Sequence, residues 1–232
     1  MQVKIASEKF IVWSSMLEIN NVTKSFYTKR YGWSKVLNGL NVQIPKDKSL
    51  GILGRNGVGK STLIQLISGM DVPDSGSIKT NGLSLSWPLG KNTGIHGSLT
   101  GRENLRFVCR IYGVDIKEKL LFLEEFAELG PYIDMPVKTY SSGMKSRLAF
   151  GISMALQFDT YLVDEGFSAG DYRFIKKTEE VFKKRSSQAN MIIVSHNPAI
   201  IKKYCDFAGV LINGQITLFE DIQQALKLYY SL

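Results

Sequence analysis

Two kinds of apolar pattern alternate along the chain. Short apolar runs bounded by turn-forming residues predict strands buried within a sheet, and they occupy residues 49–53, 160–163 and 191–194. Longer stretches with apolar residues at helical spacing predict helices at residues 102–112, 116–129 and 144–156. Strands that alternate with helices predict an α/β fold with a mostly parallel sheet.

The end of the chain carries a different signal. Asn213-Gly214 separates the apolar runs 209–212 and 215–219, which is a strong indication of a β-hairpin. Residues 222–230 then predict a closing helix. The hairpin adds an antiparallel element to an otherwise parallel sheet.

A glycine-rich loop joins the first buried strand to a predicted helix. It fits the pattern GxxxxGK[ST], through Gly54, Arg55, Asn56, Gly57, Val58, Gly59, Lys60, Ser61 and Thr62. The glycines leave room for backbone N–H groups to approach a phosphate chain, and the helix start adds its positive end. Lys60 would supply a full charge to the β- and γ-phosphates, and the Ser61 hydroxyl would bind Mg²⁺. This loop alone does not choose between an ATPase, a GTPase and a kinase.

Polar groups follow two of the other predicted strands. Asp164 and Glu165 end the run 160–163, and His196 comes just after the run 191–194. If its strand lies beside the strand before the glycine loop, Asp164 would reach the Mg²⁺ shell, and Glu165 could polarise an attacking water. His196 could hydrogen-bond a γ-phosphate, because ligands of open α/β sheets bind at the carboxyl ends of the strands. A turn for the acids and a surface loop for the histidine are the plain alternatives.

A second anion site is predicted where the helix 144–156 begins. The residues before and at its start are Ser141, Ser142, Gly143 and Met144. Hydroxyls and a glycine at a helix start suit an anion, although a simple N-cap explains them equally well. Since the chain already has one phosphate loop, the second site suggests a composite site shared between two copies.

These motifs together resemble the nucleotide-binding domain of ABC transporters over residues 17–232. Residues 54–62 are similar to Walker A, 140–144 to the signature loop, 160–165 to Walker B, and Ser195-His196 to the switch histidine. The resemblance implies a P-loop NTPase core of RecA-like type with a small antiparallel β region. It also implies hydrolysis of ATP with Mg²⁺, a head-to-tail homodimer, a separate integral-membrane permease, and an aromatic residue, here Phe26, stacked on adenine.

A narrower resemblance is to the polysaccharide-export branch, and most to the capsular group of Gram-negative bacteria. It is carried by residues 85–89, 97–104, 134–136 and 140–150. It implies an ATPase at the cytoplasmic face of the inner membrane and a cargo contacted mainly by the permease. The ATPases for O-antigen and teichoic acid are related, but they often carry a further C-terminal domain, which the short end of this chain does not suggest.

Three alternatives remain beside capsule export. An ABC ATPase for another cargo, such as a drug or a lipid, would share every catalytic motif. A soluble ABC ATPase acting on ribosomes or DNA would commonly have two cassettes or a coiled coil, and this chain has one P-loop. A GTPase or kinase would have no use for residues 141–144 or for Ser195-His196.

The chain departs from the family pattern in two loops. Glutamine is absent between Gln65 and Gln157, and the position where the family has a glutamine that contacts Mg²⁺ and the water is His96. A neutral imidazole offers one acceptor and one donor, much as an amide does, so His96 is predicted to replace that glutamine. The loop that joins the two ATP sites, residues 168–171, has Gly170 before Asp171.

The remaining predictions concern organisation and partners. Residues 1–15 are expected to be either a disordered N-terminal extension or the result of an upstream start codon, and residues 16–232 one domain with a helical subdomain inserted at about 100–156. No apolar run reaches the ~18 residues of a membrane span, and two cysteines without CxxC spacing suit a reducing cytoplasm. The net charge of +8 comes without a recognition module, so nucleic acid is not expected. The predicted docking site for the permease is the cleft near Trp87, Pro88 and Leu99, between the core and the helical subdomain, with ordinary burial of these residues as the alternative.

Overall fold

The structure is a computed structural model that describes residues 15–30, 32–89, 94–164 and 172–232. The described chain falls into two compact units. One comprises residues 15–85, 159–164 and 189–232, and the other residues 86–158 and 172–188. Of the predicted extension, only Ser15 is among the described residues, and it begins the first strand.

The secondary structure of the described residues is as follows. The strands are β1 (Ser15–Thr28), β2 (Gly32–Pro45), β3 (Leu50–Leu53), β4 (Ser75–Lys79), β5 (Thr160–Asp164), β6 (Asn190–Val194), β7 (Phe207–Ile212) and β8 (Gln215–Phe219). The helices are α1 (Lys60–Ile67), α2 (Gly101–Tyr112), α3 (Ile116–Ala127), α4 (Ser142–Ala155), α5 (Tyr172–Ser186), α6 (Pro198–Tyr204) and α7 (Ile222–Tyr230). Two short 3-10 turns, Gly130–Asp134 and Val137–Thr139, precede α4.

The first unit is built on a five-stranded sheet in the order β5-β6-β3-β7-β8. The first four strands are parallel, and every residue of β3 and β5 is buried, as their apolar sequences predict. Strand β8 returns antiparallel to β7 through Asn213 and Gly214, whose φ angles of 49° and 74° are those of a tight hairpin turn. The predicted α/β fold with a mostly parallel sheet is confirmed.

One detail of the predicted sheet is wrong. Strand β5 does not lie beside β3, because β6 runs between them and pairs with both. The register sets Val194 opposite Ile52 on one side and opposite Asp164 on the other. Helix α1 packs against both β5 and β6, so residues at its start still reach the end of β5.

A second, antiparallel sheet of order β2-β1-β4 completes the first unit. One apolar core joins the two sheets and α1, through side chains such as Leu17, Ile19, Leu40, Leu63 and Ile192. Because α1 is held in this core by its buried face, the loop before it has a fixed starting point.

The second unit contains the helices α2, α3, α4 and α5. Helices α3 and α4 approach closely at Gly151, where an added Cβ would lie 2.6 Å from Leu123 Cδ1. Helix α5 buries Phe174 and Phe182 and belongs to this unit, which therefore extends beyond the interval of about 100–156 suggested by the sequence. In the described ranges, no helix is both long and apolar enough to cross a membrane.

The predicted exposed patch around Trp87 is not found. Pro88 is buried, and Trp87 and Leu99 are half-buried. The Trp87 ring packs edge-on against Phe158 at 5.7 Å and lies 6.0 Å from the ring of Tyr112. Aromatic packing within the second unit therefore covers part of the Trp87 ring.

Candidate nucleotide-binding site

The loop between β3 and α1 has the backbone geometry of an anion site. Gly57 and Gly59 have φ angles of 80° and 108°, in the left-handed region that favours glycine. Gly59 is also the N-cap of α1, and a Cβ there would lie 2.4 Å from Val36 Cγ1. A side chain at position 59 is excluded by packing against β2 as well as by backbone strain, so the helix start stays unobstructed.

Packing gives a further reason for glycine at position 54. An added Cβ would lie 2.9 Å from Val58 Cγ1 and 3.0 Å from the backbone oxygen of Leu211 in β7. The tight packing of the loop against the sheet therefore favours glycine at this position, beside the predicted need for access to a phosphate.

Lys60 is almost completely buried, with 5% of its surface exposed. Its ammonium donates hydrogen bonds to the backbone oxygens of Gly54 at 2.9 Å and Arg55 at 3.1 Å. The loop thus curls around a full positive charge. A phosphate oxygen entering the loop would meet this charge together with the N–H groups at the start of α1.

Ser61 and Asp164 are brought together although they lie 103 residues apart. The Ser61 hydroxyl donates to Asp164 Oδ1 at 3.0 Å, and Asp164 is 2% exposed. A hydroxyl oxygen next to a buried carboxylate is a donor set that suits a hard divalent cation such as Mg²⁺. Both residues therefore fit the metal site predicted from the sequence.

A cavity of about 290 Å³ opens beside the loop. It is lined by Phe26 of β1, Val36 of β2, Asn56, Gly57 and residues 59–62. An aromatic ring and a phosphate loop at one cavity can hold the two ends of a nucleotide. Val36 was not singled out from the sequence, and nothing in its local pattern distinguishes it from other strand residues.

His196 lies just beyond the carboxyl end of β6 and is exposed. The residue before it is fixed, since the Ser195 N–H donates to the backbone oxygen of Ile52 in β3 at 3.1 Å. Asn197 follows as the N-cap of α6. His196 therefore belongs to the same edge of the parallel sheet as Asp164 and the start of the glycine loop.

The second predicted anion site belongs to the second unit. Ser141 is the N-cap of α4, and its hydroxyl accepts a hydrogen bond from the Met144 N–H at 3.3 Å. The helix begins at Ser142, two residues earlier than predicted, and Ser141 and Ser142 are both exposed. A Cβ on Gly143 would meet only the Ser141 hydroxyl, at 4.0 Å. The start of this helix is open to an approaching group.

His96, also in the second unit, has an exposed side chain on a fixed backbone. Its N–H donates to Asn104 Oδ1 at 2.7 Å, and its carbonyl oxygen accepts from Asn104 Nδ2 at 3.1 Å. Asn104 is buried in α2 and also donates to the backbone oxygen of Thr100. Asn104 is a positioning residue that was not among the site residues predicted from the sequence. Its signal in the sequence is a polar residue on the buried face of a predicted helix.

The loop that carries His96 is paired with the segment that leads to the signature residues. The backbone oxygens of Gly97 and Leu99 accept hydrogen bonds from the N–H groups of Lys138 (2.7 Å) and Val137 (2.9 Å). A bridge between Thr100 and Pro136 extends this ladder. The predicted residue Glu165 and the predicted loop 168–171, with Asp171, lie outside the described residues.

The glycine loop, the buried lysine and the serine–aspartate pair at the edge of a parallel sheet define a P-loop nucleotide-binding protein. The sequence model of the family described as ABC transporter matches residues 37–168. A solved ATP-binding subunit of an ABC transporter superposes with a TM-score of 0.77 at 22% identity, covering 94% of this chain and 98% of that one. The chain belongs to the ABC transporter family and is an ATP-binding ATPase of that family.

Three bacterial relatives are similar over almost the whole chain. The polysialic acid transport ATP-binding protein KpsT of Escherichia coli is 50% identical over 217 residues, which are 92% of this chain and 96% of that protein. The ATP-binding protein BexA of Haemophilus influenzae is 49% identical and is covered to 98%. The capsule polysaccharide export ATP-binding protein CtrD of Neisseria meningitidis is 50% identical and is covered to 100%.

Proposed function

We propose that this chain is the ATP-hydrolysing subunit that powers export of a capsular polysaccharide through a separate membrane permease, at the cytoplasmic face of the inner membrane. The observation that carries the proposal is identity of about half over nearly the full length of three relatives, one named for capsule polysaccharide export and one for polysialic acid transport. The teichoic acid relative TagH of Lactococcus lactis is 36% identical, and the match spans 42% of that protein. Capsular polysaccharide is therefore favoured over teichoic acid as the cargo.

The P-loop residues would bind the triphosphate. Gly54, Arg55, Asn56, Gly57, Val58 and Gly59 form the loop, Lys60 would move its hydrogen bonds from backbone oxygens to phosphate oxygens, and Thr62 follows Ser61 at the helix start. Ser61 and Asp164 would hold Mg²⁺, which when bound would neutralise charge on the phosphates. The ring of Phe26 would stack on adenine across the cavity that it shares with the loop.

Four further residues would take part in catalysis. Glu165 would orient the attacking water, and His196 would hydrogen-bond the γ-phosphate from the carboxyl end of β6. His96 would take the place of the usual glutamine, and Asp171 would lie where two copies of the chain meet. These roles rest on the sequence motifs and, for His196, on its position at the sheet edge.

A second copy of the chain would complete the site. The exposed start of α4, with Ser141, Ser142, Gly143 and Met144, would face the γ-phosphate held by the other copy. Dimeric ATP-binding cassettes are among the solved structures with this fold, one of them in a post-hydrolysis state with ADP and Pi, at a TM-score of 0.71 and 22% identity. The fold is thus one that pairs in other proteins.

The permease would dock on α2 rather than at Trp87. Phe107 and Ile111, one helical turn apart, are 52% and 62% exposed and form an apolar ridge that continues to Val114. Ile111→Asp should abolish co-purification of the chain with membranes that contain its permease. Tyr230→Asp, at a residue 70% exposed in the first unit, is the matched control and should bind normally. Equal binding by both variants would remove α2 from the docking surface.

The experiment that tests the function is deletion of the gene in its own bacterium. Surface polysaccharide should disappear and accumulate inside the cell, and the wild-type gene should restore it. Glu165→Gln should fail to restore it, because the variant keeps ATP binding but loses most turnover and accumulates as an ATP-bound dimer. Normal surface polysaccharide in the deletion strain, with ATP hydrolysis by the purified chain intact, would assign the ATPase to another cargo.

A further inference from the structure

Phe26 lies on a part of β1 that has passed the end of its neighbour β4. The pairing between β1 and β4 closes with Thr23 opposite Ser75, whereas β1 continues along β2 as far as Thr28. The β2 ladder is irregular between Lys24 and Ser25, just before Phe26. The segment that carries the aromatic ring is therefore paired with β2 from Ser25 to Thr28 but has no strand partner on its β4 side.

Side-chain contacts take over where β4 ends. The Lys24 ammonium donates to Asp71 Oδ1 and to the Val72 backbone oxygen, both at 2.7 Å, and lies 3.9 Å from Asp74 Oδ1. The Ser25 N–H donates to Asp74 Oδ2 at 2.6 Å. Only 12% of the Lys24 side chain is exposed, so this is more than a solvated surface pair. The bond from Lys24 lowers the pKa of the Asp71 carboxyl and so favours its charged form.

Of these acceptors, Asp71 is bonded to helix α1, whereas the Asp74 N–H donates to the Thr23 backbone oxygen of β1 at 2.9 Å. The N–H groups of Met70 and Asp71 donate to the Gln65 backbone oxygen of α1, at 3.0 Å and 3.2 Å. Helix α1 begins with Lys60 and Ser61, the residues assigned to the phosphates and Mg²⁺. A continuous set of contacts thus runs from the phosphate end of the cavity to the ring at its other end.

Lys24 also acts on the ring directly. Its ammonium lies 5.5 Å from the centroid of the Phe26 ring, within the range of a cation–π contact. The same side chain therefore fixes the backbone before Phe26 and restricts the ring.

We propose that Lys24, Asp71 and Asp74 form a clamp that sets Phe26 at a fixed distance from the phosphate loop, and so positions the adenine of ATP. The clamp residues touch neither phosphates nor base, and they act through Phe26. The inference rests on the proposed role of Phe26 in the nucleotide site.

The test compares a nucleotide with a ligand that has no base. In calorimetric titrations of the full chain with Mg²⁺, Lys24→Met should raise the Kd for ATP about three- to tenfold, the effect of one lost contact. The Kd for tripolyphosphate should stay the same, and the loss should appear in KM for ATP rather than in kcat. Lys35→Met removes a charge from the β2 residue opposite Ser25 and should change neither Kd. Asp74→Ala provides a second break in the clamp if the Tm of Lys24→Met is much lower than that of the wild type.

A double variant separates the clamp from the role of Phe26 itself. Phe26→Ala should weaken ATP binding, and adding Lys24→Met to it should cause no further loss, because the clamp acts through the ring. Full additivity, or an equal loss of tripolyphosphate binding, would overturn the clamp. A Phe26→Ala variant with wild-type affinity for ATP would instead overturn the proposed adenine contact, and with it the basis for the clamp.

Discussion

The two candidate phosphate-binding helix starts of this chain are organised in opposite ways. At the start of α1, Lys60 is buried and bonded to two loop oxygens, and Ser61 is bonded to buried Asp164. At the start of α4, Ser141 and Ser142 are exposed, and the bond from the Met144 N–H to Ser141 is an ordinary helix cap. One helix start is embedded in a cavity of its own unit, and the other faces outward.

This difference separates binding from turnover. A site whose charges are held by its own unit can bind a nucleotide in the single chain, because little has to be reorganised when the ligand arrives. An outward-facing helix start gains a function only when a second body presents an anion to it. Variants at α1 should therefore change affinity in the isolated chain, whereas variants at α4 should change hydrolysis alone.

The largest effect is expected at Lys60. Lys60→Ala removes a buried charge from the phosphate loop, and the Kd of the isolated chain for ATP should rise roughly 10- to 100-fold, the range for a lost charge-assisted bond. Isothermal titration at neutral pH measures the change. Lys46→Ala, at an exposed lysine just before β3, serves as the control and should bind ATP as the wild type does. Near-wild-type affinity in Lys60→Ala would remove the contrast between the two helix starts.

A smaller effect, on hydrolysis only, is expected at Ser141. Ser141→Gly removes the hydroxyl but keeps a residue that caps helices almost as well. The rate of ATP hydrolysis by the dimer should fall roughly tenfold, the loss of about 1.4 kcal/mol of transition-state binding, while the Kd of the isolated chain for ATP stays constant. Asp115→Gly changes the N-cap of α3 in the same unit and should leave hydrolysis intact. If both glycine variants slow hydrolysis equally, the effect of Ser141→Gly comes from loss of the helix cap and not from loss of a contact to an anion.

His96 is expected to contribute less, because its backbone is already fixed by Asn104. His96→Gln restores the family's residue with a similar donor and acceptor and should keep hydrolysis and transport. His96→Ala should lower the hydrolysis rate about three- to tenfold, as the loss of one hydrogen bond predicts. Steady-state rates of the three proteins decide the matter. Identical rates would make His96 a surface histidine and place the glutamine's role elsewhere.

The smallest effect concerns the stability of α2 and should leave ATP binding untouched. Hydrogen bonding to the backbone of Thr100, and to a lesser extent to its side chain, lowers the pKa of the Glu103 carboxyl in the folded chain. Such a group stabilises the fold above its unfolded pKa, about 4.3, and loses the contribution as the pH falls below it. Urea unfolding should find Glu103→Gln less stable than wild type at pH 7, with the gap closing towards pH 3. A gap that widens at low pH would contradict this sign.

The sequence was most informative where function depends on neighbouring residues. The loop and helix start of residues 54–62 could be predicted because their glycines, lysine and hydroxyls follow one another within nine residues. The hairpin at Asn213-Gly214 could be predicted for the same reason, since its turn depends on two neighbouring residues. The insertion of β6 between β3 and β5 could not be predicted, since the order of parallel strands is decided by packing between distant segments. The burial of Pro88 was missed for the same reason, because the packing of Trp87 on Phe158 joins residues 71 positions apart.

The ladder between residues 97–99 and 136–138 has a practical consequence for chimaeras of capsule exporters. It is made of backbone bonds, so exposed side chains along it can change without breaking it, whereas buried Val137 has to stay apolar. An inserted or deleted residue on one side would shift the register of the other. Transplanting the His96 loop from one exporter to another should therefore succeed when residues 136–138 keep their spacing to Ser141. The two segments form one exchangeable module, although almost forty positions separate them in the gene.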